Sequence, residues 1–353
     1  MAPGLMNTPV QTDASELDDR AYPPAAERRS DGRYRLAGEL IALIYIAAIA
    51  EIAYVTGAFY ILFPELGALS HDVFTRPRGT WASAPLLLAL TPVLTGAIGI
   101  FVTRALPYGY VSVLLTVLGA VAVLLMLKSP IAPAISAGLL PLVLGVESWW
   151  YPPGILLGTA LLAGLSIPWK RISIAHNWLT PFSPAEIIDE AVERLPLGRY
   201  WLIALMGFVI AAMFFVELTG LRFILFPPLV VIGFEMFGHP AICPWAKKPL
   251  HLPAACFVAA AGGLLFYKLL GAGPASAACA MAWGIMALRL FNLHVPPALA
   301  VALLPQVINS PTIAYPFSVG AGTLMMSLWF LLYGSLANTR LAQDSRPQIL
   351  TRP

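Results

Sequence analysis

A histidine close to two prolines is the clearest candidate for chemistry in this sequence. His294 is followed by Val295 and then by Pro296 and Pro297, where an apolar segment begins. Proline is favoured at the first position of a helix, and the unpaired N–H groups of a helix N-terminus attract anions. The motif predicts an anion-binding site at the start of a short membrane helix. The alternative is an interfacial histidine beside prolines that only mark the helix start.

Residues near other helix breaks are further candidate substrate ligands. An interrupted backbone inside a membrane must face protein or a water-filled cavity, where hydroxyl and amide groups can hydrogen-bond a solute. In the first half of the chain, Pro130 and Pro133 begin a segment that corresponds to the one after His294. The polar candidates near breaks are Ser136, Thr56, Thr219, Asn309 and Ser310.

Four carboxylates in or beside apolar runs predict a proton relay. Ionisable groups at membrane depth are costly and tend to mark proton or ion pathways. Asp72 and Glu235 lie near the ends of short apolar segments, and both would simply be solvated if those segments ended one turn earlier. Glu217 could reach the outer interface of the membrane. The candidate relay consists of Glu51, Asp72, Glu217 and Glu235, with His71 beside Asp72 and His239 near Glu235.

The composition places these residues in a lipid bilayer. Of 353 residues, 59% are hydrophobic and 11% are charged, with a mean hydropathy of +0.78, whereas soluble domains are about 25% charged. Apolar stretches of the roughly 20 residues that a span needs recur between 36 and 336. We therefore expect an all-α polytopic membrane protein whose partners are lipids. The small net charge of +3 predicts no nucleic-acid partner.

Neither a cofactor nor a metal site is predicted. The three cysteines lack CxxC spacing, and the chain contains no zinc-protease, serine-hydrolase or phosphate-loop motif. We therefore predict that the protein is not an enzyme.

The two halves of the chain repeat one another. The sequence ILFP at 61–64 recurs at 224–227, and LLP at 139–141 recurs at 303–305. Trp81 matches Trp245 in the same alignment. Leucines match by chance in so apolar a chain, whereas a series of matched prolines and tryptophans is not expected by chance. The pattern predicts two copies of one transmembrane unit.

Each unit divides into six apolar segments, a to f. Segments b (57–74 and 220–237) and e (131–146 and 295–309) are short and contain prolines, which predicts broken helices. The expected total is 10–12 transmembrane or half-membrane helices. The predicted regions are a disordered tail (1–35), repeat 1 (36–168), a linker (169–198), repeat 2 (199–337) and a second tail (338–353).

Basic residues predict the orientation. With six crossings per unit, all but three of the 21 lysines and arginines fall on one side. This asymmetry predicts cytoplasmic N- and C-termini, parallel repeats, and a location in the inner (plasma) membrane. In the linker, Ser183, Pro184 and Glu186 form a capping box, which predicts a short amphipathic helix on the cytoplasmic surface. Its Asp189 and Glu190 are expected to be solvated.

The chain resembles the HPP family of integral membrane proteins. The residues that carry the resemblance are segments 63–85 and 226–249, the glycine-rich spans after them, and the proline-rich segments 124–141 and 286–305. The motif here is His-Val-Pro-Pro, one residue longer than the His-Pro-Pro of the family, and the first copy lacks the histidine. Because the family includes members linked to nitrite transport, the resemblance implies a transporter of a small inorganic anion.

The predicted function is accordingly a transporter or channel for a nitrite-like anion, with a path between segments b and e of the two repeats. The alternative is a membrane scaffold or sensor, or an enzyme acting on lipid, without transport. A homo-oligomer is compatible with the sequence, in which no interface can be recognised.

Overall fold

A computed structural model describes residues 25–176, 184–196 and 200–344, with side chains described for 34–176, 187–196 and 200–334. Within these residues all regular structure is helical. The α helices are α1 (Ala25–Thr56), α2 (Leu66–Thr75), α3 (Pro85–Ala105), α4 (Tyr110–Leu127), α5 (Ala134–Leu144), α6 (Tyr151–Ala175), α7 (Pro184–Val192), α8 (Tyr200–Thr219), α9 (Pro227–Gly238), α10 (His251–Leu270), α11 (Pro274–Leu290), α12 (Pro297–Leu303) and α13 (Ala314–Asp344).

Seven helices are long and apolar enough to cross a membrane: α1 from Tyr34, α3, α4, α6, α8, α10, and α13 to Gly334. Each leaves many large apolar side chains exposed on the protein surface, including Leu86 in α3 and Phe214 in α8. Such a surface is expected where lipid is the solvent. The chain is a multi-pass membrane protein of helical architecture.

The expected interruption is confirmed in both segments b and in the second segment e, whereas in the first segment e helix α5 runs continuously through Pro141. Gly57 and Gly220 end the preceding long helices at positive φ (71° and 70°), a conformation that glycine adopts without strain. Short 3-10 helices follow, at Phe59–Ile61 and Arg222–Leu225, before α2 and α9 begin. In the second segment e, Pro305 lies in a 3-10 helix that follows α12. Proline lacks the N–H that a continuous α helix would require.

The short helices form the interface between the two halves of the chain. Helix α2 packs against α12, and α9 packs against α5. Around them, α1 contacts α11 and α4 contacts α8. We call the end of the bundle that carries α7 the linker end, and the opposite end the far end.

Two of the long helices approach short ones without space for a side chain. A Cβ at Gly99 of α3 would overlap the carbonyl oxygen of Gly138 in α5. In the second half, a Cβ at Gly263 of α10 would overlap the carbonyl oxygen of Ala302 in α12. These glycines let backbones touch, as small residues commonly do in membrane helix packing.

Three predicted boundaries are corrected. Helix α1 begins at Ala25, so residues 25–35 are helical rather than part of a disordered tail. Helix α6 continues through Pro168 to Ala175 into the predicted linker, and α13 extends to Asp344. Tyr34 explains the first extension, since its ring stacks on Trp169 and holds the helix against α6. The remainder of both predicted tails, 1–24 and 345–353, lies outside the described residues.

Candidate functional site

Ionisable side chains from both halves and from the linker meet at the linker end. We define the linker-end cluster as Asp72, Arg76, Asp189, Glu193, Glu235 and His294. Asp72 lies in the last turn of α2, and Arg76 directly follows that helix. Helix α7 brings Asp189 and Glu193, whereas Glu235 comes from α9 and His294 from the loop before α12. Four separate segments of the chain therefore form one group.

Arg76 is the centre of this cluster. Its side chain is only 5% exposed, and its Nε donates to Asp72 Oδ1 at 2.6 Å. Its Nη2 donates to both Asp72 and Glu193, and its Nη1 lies 3.9 Å from Asp189 Oδ2. Burial on its own would lower the pKa of Arg76, but the three carboxylates raise it above its usual value. The guanidinium therefore stays charged and ties the linker helix to α2.

The cluster holds more carboxyl groups than positive charges. Burial and the charge of Asp72 raise the pKa of Glu193 to about 8, although Arg76 opposes the shift. Glu235 is 2% exposed, and none of the described residues gives its Oε2 a hydrogen bond. Because one guanidinium cannot neutralise four carboxylates, the cluster takes up protons near neutral pH.

His294 belongs to this cluster and lines a narrow cavity in it. The imidazole Nε2 lies 3.3 Å from Asp189 Oδ2, and the side chain is 28% exposed. Burial and the positive charge of Arg76 lower the pKa of His294 well below its usual value, which favours the neutral ring. The cavity also contacts Trp81, Trp245 and Pro296. Its volume of about 10 Å³ is at the limit for a single water molecule.

The linker helix differs from the prediction. A helix is present at Pro184–Val192, but its acidic residues face the protein instead of water. Glu190 accepts hydrogen bonds from the backbone N–H and the hydroxyl of Thr80, both at 2.8 Å, and Asp189 is buried. The apolar residue Ile187 of this helix is exposed. The buried charge of Arg76 requires counter-charges, and this requirement decides which face turns inward. Ser183 of the predicted capping box lies outside the described residues.

A second ion pair joins the two halves. Arg289 of α11 donates to both carboxylate oxygens of Glu39 in α1, at 2.6 Å to Oε1. His71 Nε2 lies 3.8 Å from the same carboxylate. His71 therefore faces Glu39 instead of extending a relay from Asp72.

The four predicted relay carboxylates do not form one chain. Asp72 and Glu235 lie together in the linker-end cluster, whereas Glu51 and Glu217 are exposed on the last turns of α1 and α8. These turns lie at the far end, a helix length away. His239, expected beside Glu235, instead contacts the Arg194 carbonyl oxygen through Nε2 at 2.8 Å. The structure thus brings two of the four relay candidates together and leaves Glu51 and Glu217 apart from them.

The predicted substrate ligands are also divided. His294 and Pro296 line the linker-end cavity, and Pro297 begins α12 behind them. Pro130 accepts a hydrogen bond from Trp81 Nε1 at 3.0 Å, so its carbonyl oxygen is occupied. The remaining candidates lie elsewhere: Pro133 and Ser136 are buried at α5, and Thr56, Thr219, Asn309 and Ser310 are exposed.

Two of these residues show why hydroxyl groups near breaks are weak indicators. Thr56 donates to the Ile52 carbonyl oxygen and Thr219 to the Phe215 carbonyl oxygen, both at 2.6 Å. Each hydroxyl is thus satisfied by its own helix. Ser136 differs, because none of the described residues gives its Oγ a hydrogen-bond partner.

A larger cavity opens at the far end. It has a volume of about 170 Å³ and lies between the halves, with Tyr54 and Gly57 on one side and Gly273 and Gln306 on the other. Drug-sized ligands occupy cavities of roughly 300 Å³ or more. This cavity therefore suits a solute of only a few atoms.

Three residues of evident importance were missed by sequence reasoning: Arg76, Glu193 and Glu65. Arg76 was counted only as a basic residue of a loop, although its spacing of four residues from Asp72 is that of a helical ion pair. Glu193 carried no such local signal. Glu65 stands alone in the apolar sequence FPELG at 63–67, and that isolation could have identified it.

Comparisons with protein-family models, with curated proteins and with solved structures each find no match for this chain.

Proposed function

We propose that this protein is a transporter or channel that moves a small solute across a membrane along the interface between its two halves. The observation that carries the proposal is the meeting of four short helices there, α2 with α12 and α9 with α5. Paired short helices in two halves are a feature of transporter binding sites, because broken backbone is tolerated only against protein or water. The far-end cavity then serves as an entrance of suitable size.

The proposal includes a duplicated architecture with parallel repeats. Supporting contacts recur at matched positions: Tyr151 donates to the Ala137 carbonyl oxygen at 2.8 Å, and Tyr315 donates to that of Val301 at 2.6 Å. The order of long and short α helices is also the same in both halves, although the second half has an additional 3-10 helix at Leu304–Gln306. An even number of crossings per unit gives repeats related by an axis along the membrane normal.

We assign the linker end to the cytoplasm of a cell with this protein in its inner (plasma) membrane. Lys170, Lys248 and Arg289 support this side, because cytoplasmic loops are enriched in basic residues. The linker-end cluster is then an inner gate. Its cavity of about 10 Å³ leaves no space for a solute of several atoms, so His294 contributes to closing the gate instead of holding the solute.

A small inorganic anion, with nitrite first, is the proposed solute because of the resemblance to the HPP family. The test is flux into liposomes that contain the purified protein, measured with nitrite, nitrate, formate and chloride, against protein-free liposomes. We expect nitrite uptake above the protein-free rate. If none of the four anions crosses faster than in protein-free liposomes, the proposed function is wrong.

A further inference from the structure

Glu65 is a carboxyl group isolated in the interior of the bundle. It lies between the 3-10 helix Phe59–Ile61 and α2, in segment b, and it is 0% exposed. Neither of its oxygens accepts a hydrogen bond from another described residue. Phe63 and Leu66 beside it are equally buried. The group is thus surrounded by protein, and apart from its own backbone N–H no described residue gives it a polar partner.

The polar groups nearest to Glu65 are already occupied. Its charge reaches two phenols, Tyr151 and Tyr315. Each phenol has one proton to donate, and both donate to backbone carbonyl oxygens, of Ala137 and Val301. Neither can stabilise a carboxylate at Glu65 in this conformation.

The helices that pack against α2 supply no counter-charge. These are α1, α6 and α12. In α1, Glu39 pairs with Arg289, Tyr45 donates to the Gly158 carbonyl oxygen, and Glu51 is exposed. Helix α6 carries Tyr151 near its start and its cations only in the last two turns, and α12 consists of apolar residues. No ion pair with Glu65 is formed by any described residue, and the described residues contain no metal-holding group of His, Cys, Asp or Glu.

An ionised carboxylate in such surroundings is very costly, whereas the protonated acid is tolerated. The position also matters, because α2 touches α12 of the other half next to Glu65, with Gly67 against the side chain of Leu303. Loss of the proton would place a bare charge at this interface and favour a state in which water reaches it.

We propose that Glu65 is a proton-binding site through which movement of the solute is coupled to movement of a proton. The ligand is H⁺ itself, held as a carboxylic acid in the closed state and released when the interface between α2 and α12 opens to water. This coupling rests on the proposed transport function, but the proton site does not, and the two can be tested apart.

The site is tested without any solute by infrared spectroscopy of the purified protein. A protonated carboxyl has a C=O stretch that is separate from the carboxylate bands. We expect the Glu65→Gln variant to lose one such component at neutral pH, and the matched Glu51→Gln variant, which alters an exposed carboxyl, to lose none. If Glu65→Gln leaves the protonated-carboxyl band unchanged, the proton site is wrong. Should Glu65→Gln fail to fold, Glu65→Leu replaces it with an apolar residue.

The coupling is tested by nitrite uptake into liposomes with and without an acid-outside pH gradient. In the wild type and in Glu147→Gln, whose carboxyl is exposed and belongs to no candidate relay, we expect the gradient to accelerate uptake. In Glu65→Gln, this acceleration is lost while downhill uptake remains. Equal acceleration in Glu65→Gln would overturn the coupling but leave the transport function standing. A normal infrared result with no flux of nitrite, nitrate, formate or chloride would keep the proton site and overturn the transport function.

Discussion

At the scale of single residues, Arg76 has the largest energetic role in the linker-end cluster. It is buried, its neighbours are carboxylates, and it is held by α2 and the linker helix together. Removing one partner of a buried ion pair leaves uncompensated charge and typically costs 3–5 kcal/mol. The carboxyl groups of the cluster that Arg76 does not neutralise are neutral only when they are protonated.

We predict that Arg76→Gln destabilises the protein by about 3–5 kcal/mol, because Asp72 and Glu193 lose their common counter-charge. The measurement is unfolding of the detergent-solubilised protein by heat or denaturant. The matched control is Arg78→Gln, two residues along the chain at an exposed position, which should change stability by less than about 0.5 kcal/mol. Equal stability of the two variants would contradict the central role of Arg76.

The second residue-scale prediction concerns pH. The folded protein raises the pKa of Glu193 from 4.5 to about 8, so the folded state binds more protons than the unfolded state between these values. This contribution to stability is complete below pH 4.5 and is lost as the pH rises through about 8. We expect melting temperatures in detergent to fall over this window in the wild type and to fall less in Glu193→Gln. Identical pH profiles would show that Glu193 titrates normally.

At the scale of elements, the close pairs α3–α5 and α10–α12 fix the short helices in place. The backbone contacts at Gly99 and Gly263 leave no space for a methyl group. Close backbone contact prevents α5 and α12 from shifting sideways. Because these two helices pack against α9 and α2 of the opposite halves, the contact also fixes the interface between the halves.

We predict that Gly99→Ala destabilises the protein by about 1–3 kcal/mol, the usual cost of overpacking. Its Cβ would overlap the carbonyl oxygen of Gly138, which is backbone and cannot rotate away. Gly164→Ala in α6 is the control, since nothing lies within 4 Å of its added Cβ. Thermal unfolding of both variants in detergent decides the question, and a Gly99→Ala protein as stable as Gly164→Ala would refute the close contact.

At the scale of the whole molecule, the two ends of the bundle differ in character. The linker end has a nearly closed, acidic cavity of about 10 Å³, and the far end has a cavity of about 170 Å³ between the halves. The two ends therefore differ in charge and in the space between the halves, and the proposed transport function gives them different roles, the far end as entrance and the linker end as gate.

The proposed orientation predicts which surface each end faces. In a background in which Cys243, Cys256 and Cys279 are replaced by alanine, Arg78→Cys marks the linker end and Glu147→Cys marks the far end. We expect a membrane-impermeant maleimide to label Glu147→Cys in intact cells and Arg78→Cys only in inverted vesicles. The reverse pattern would invert the topology.

Much of the architecture followed from sequence. Prolines at 64, 227 and 305 predicted the broken segments, because a missing N–H acts locally wherever proline occurs. The boundaries at Ala25 and Ala175 were wrong, because tertiary contacts such as Tyr34 on Trp169 extend helices beyond their apolar parts. Within the site, the sequence singled out His294, Asp72 and Glu235 for separate roles, and only the structure shows that they lie in one cluster around Arg76.

The sequence by itself determined that this is a helical membrane protein with interrupted helices, since hydropathy and proline act on each segment separately. Tertiary structure alone decided that the acidic linker helix is buried against Arg76, that Glu51 and Glu217 face outward, and that Glu65 has no partner. The physical reason is that a charge is stabilised or isolated by groups distant in the chain. Residue spacing within one segment does not show which of those distant groups pack beside the charge and which do not.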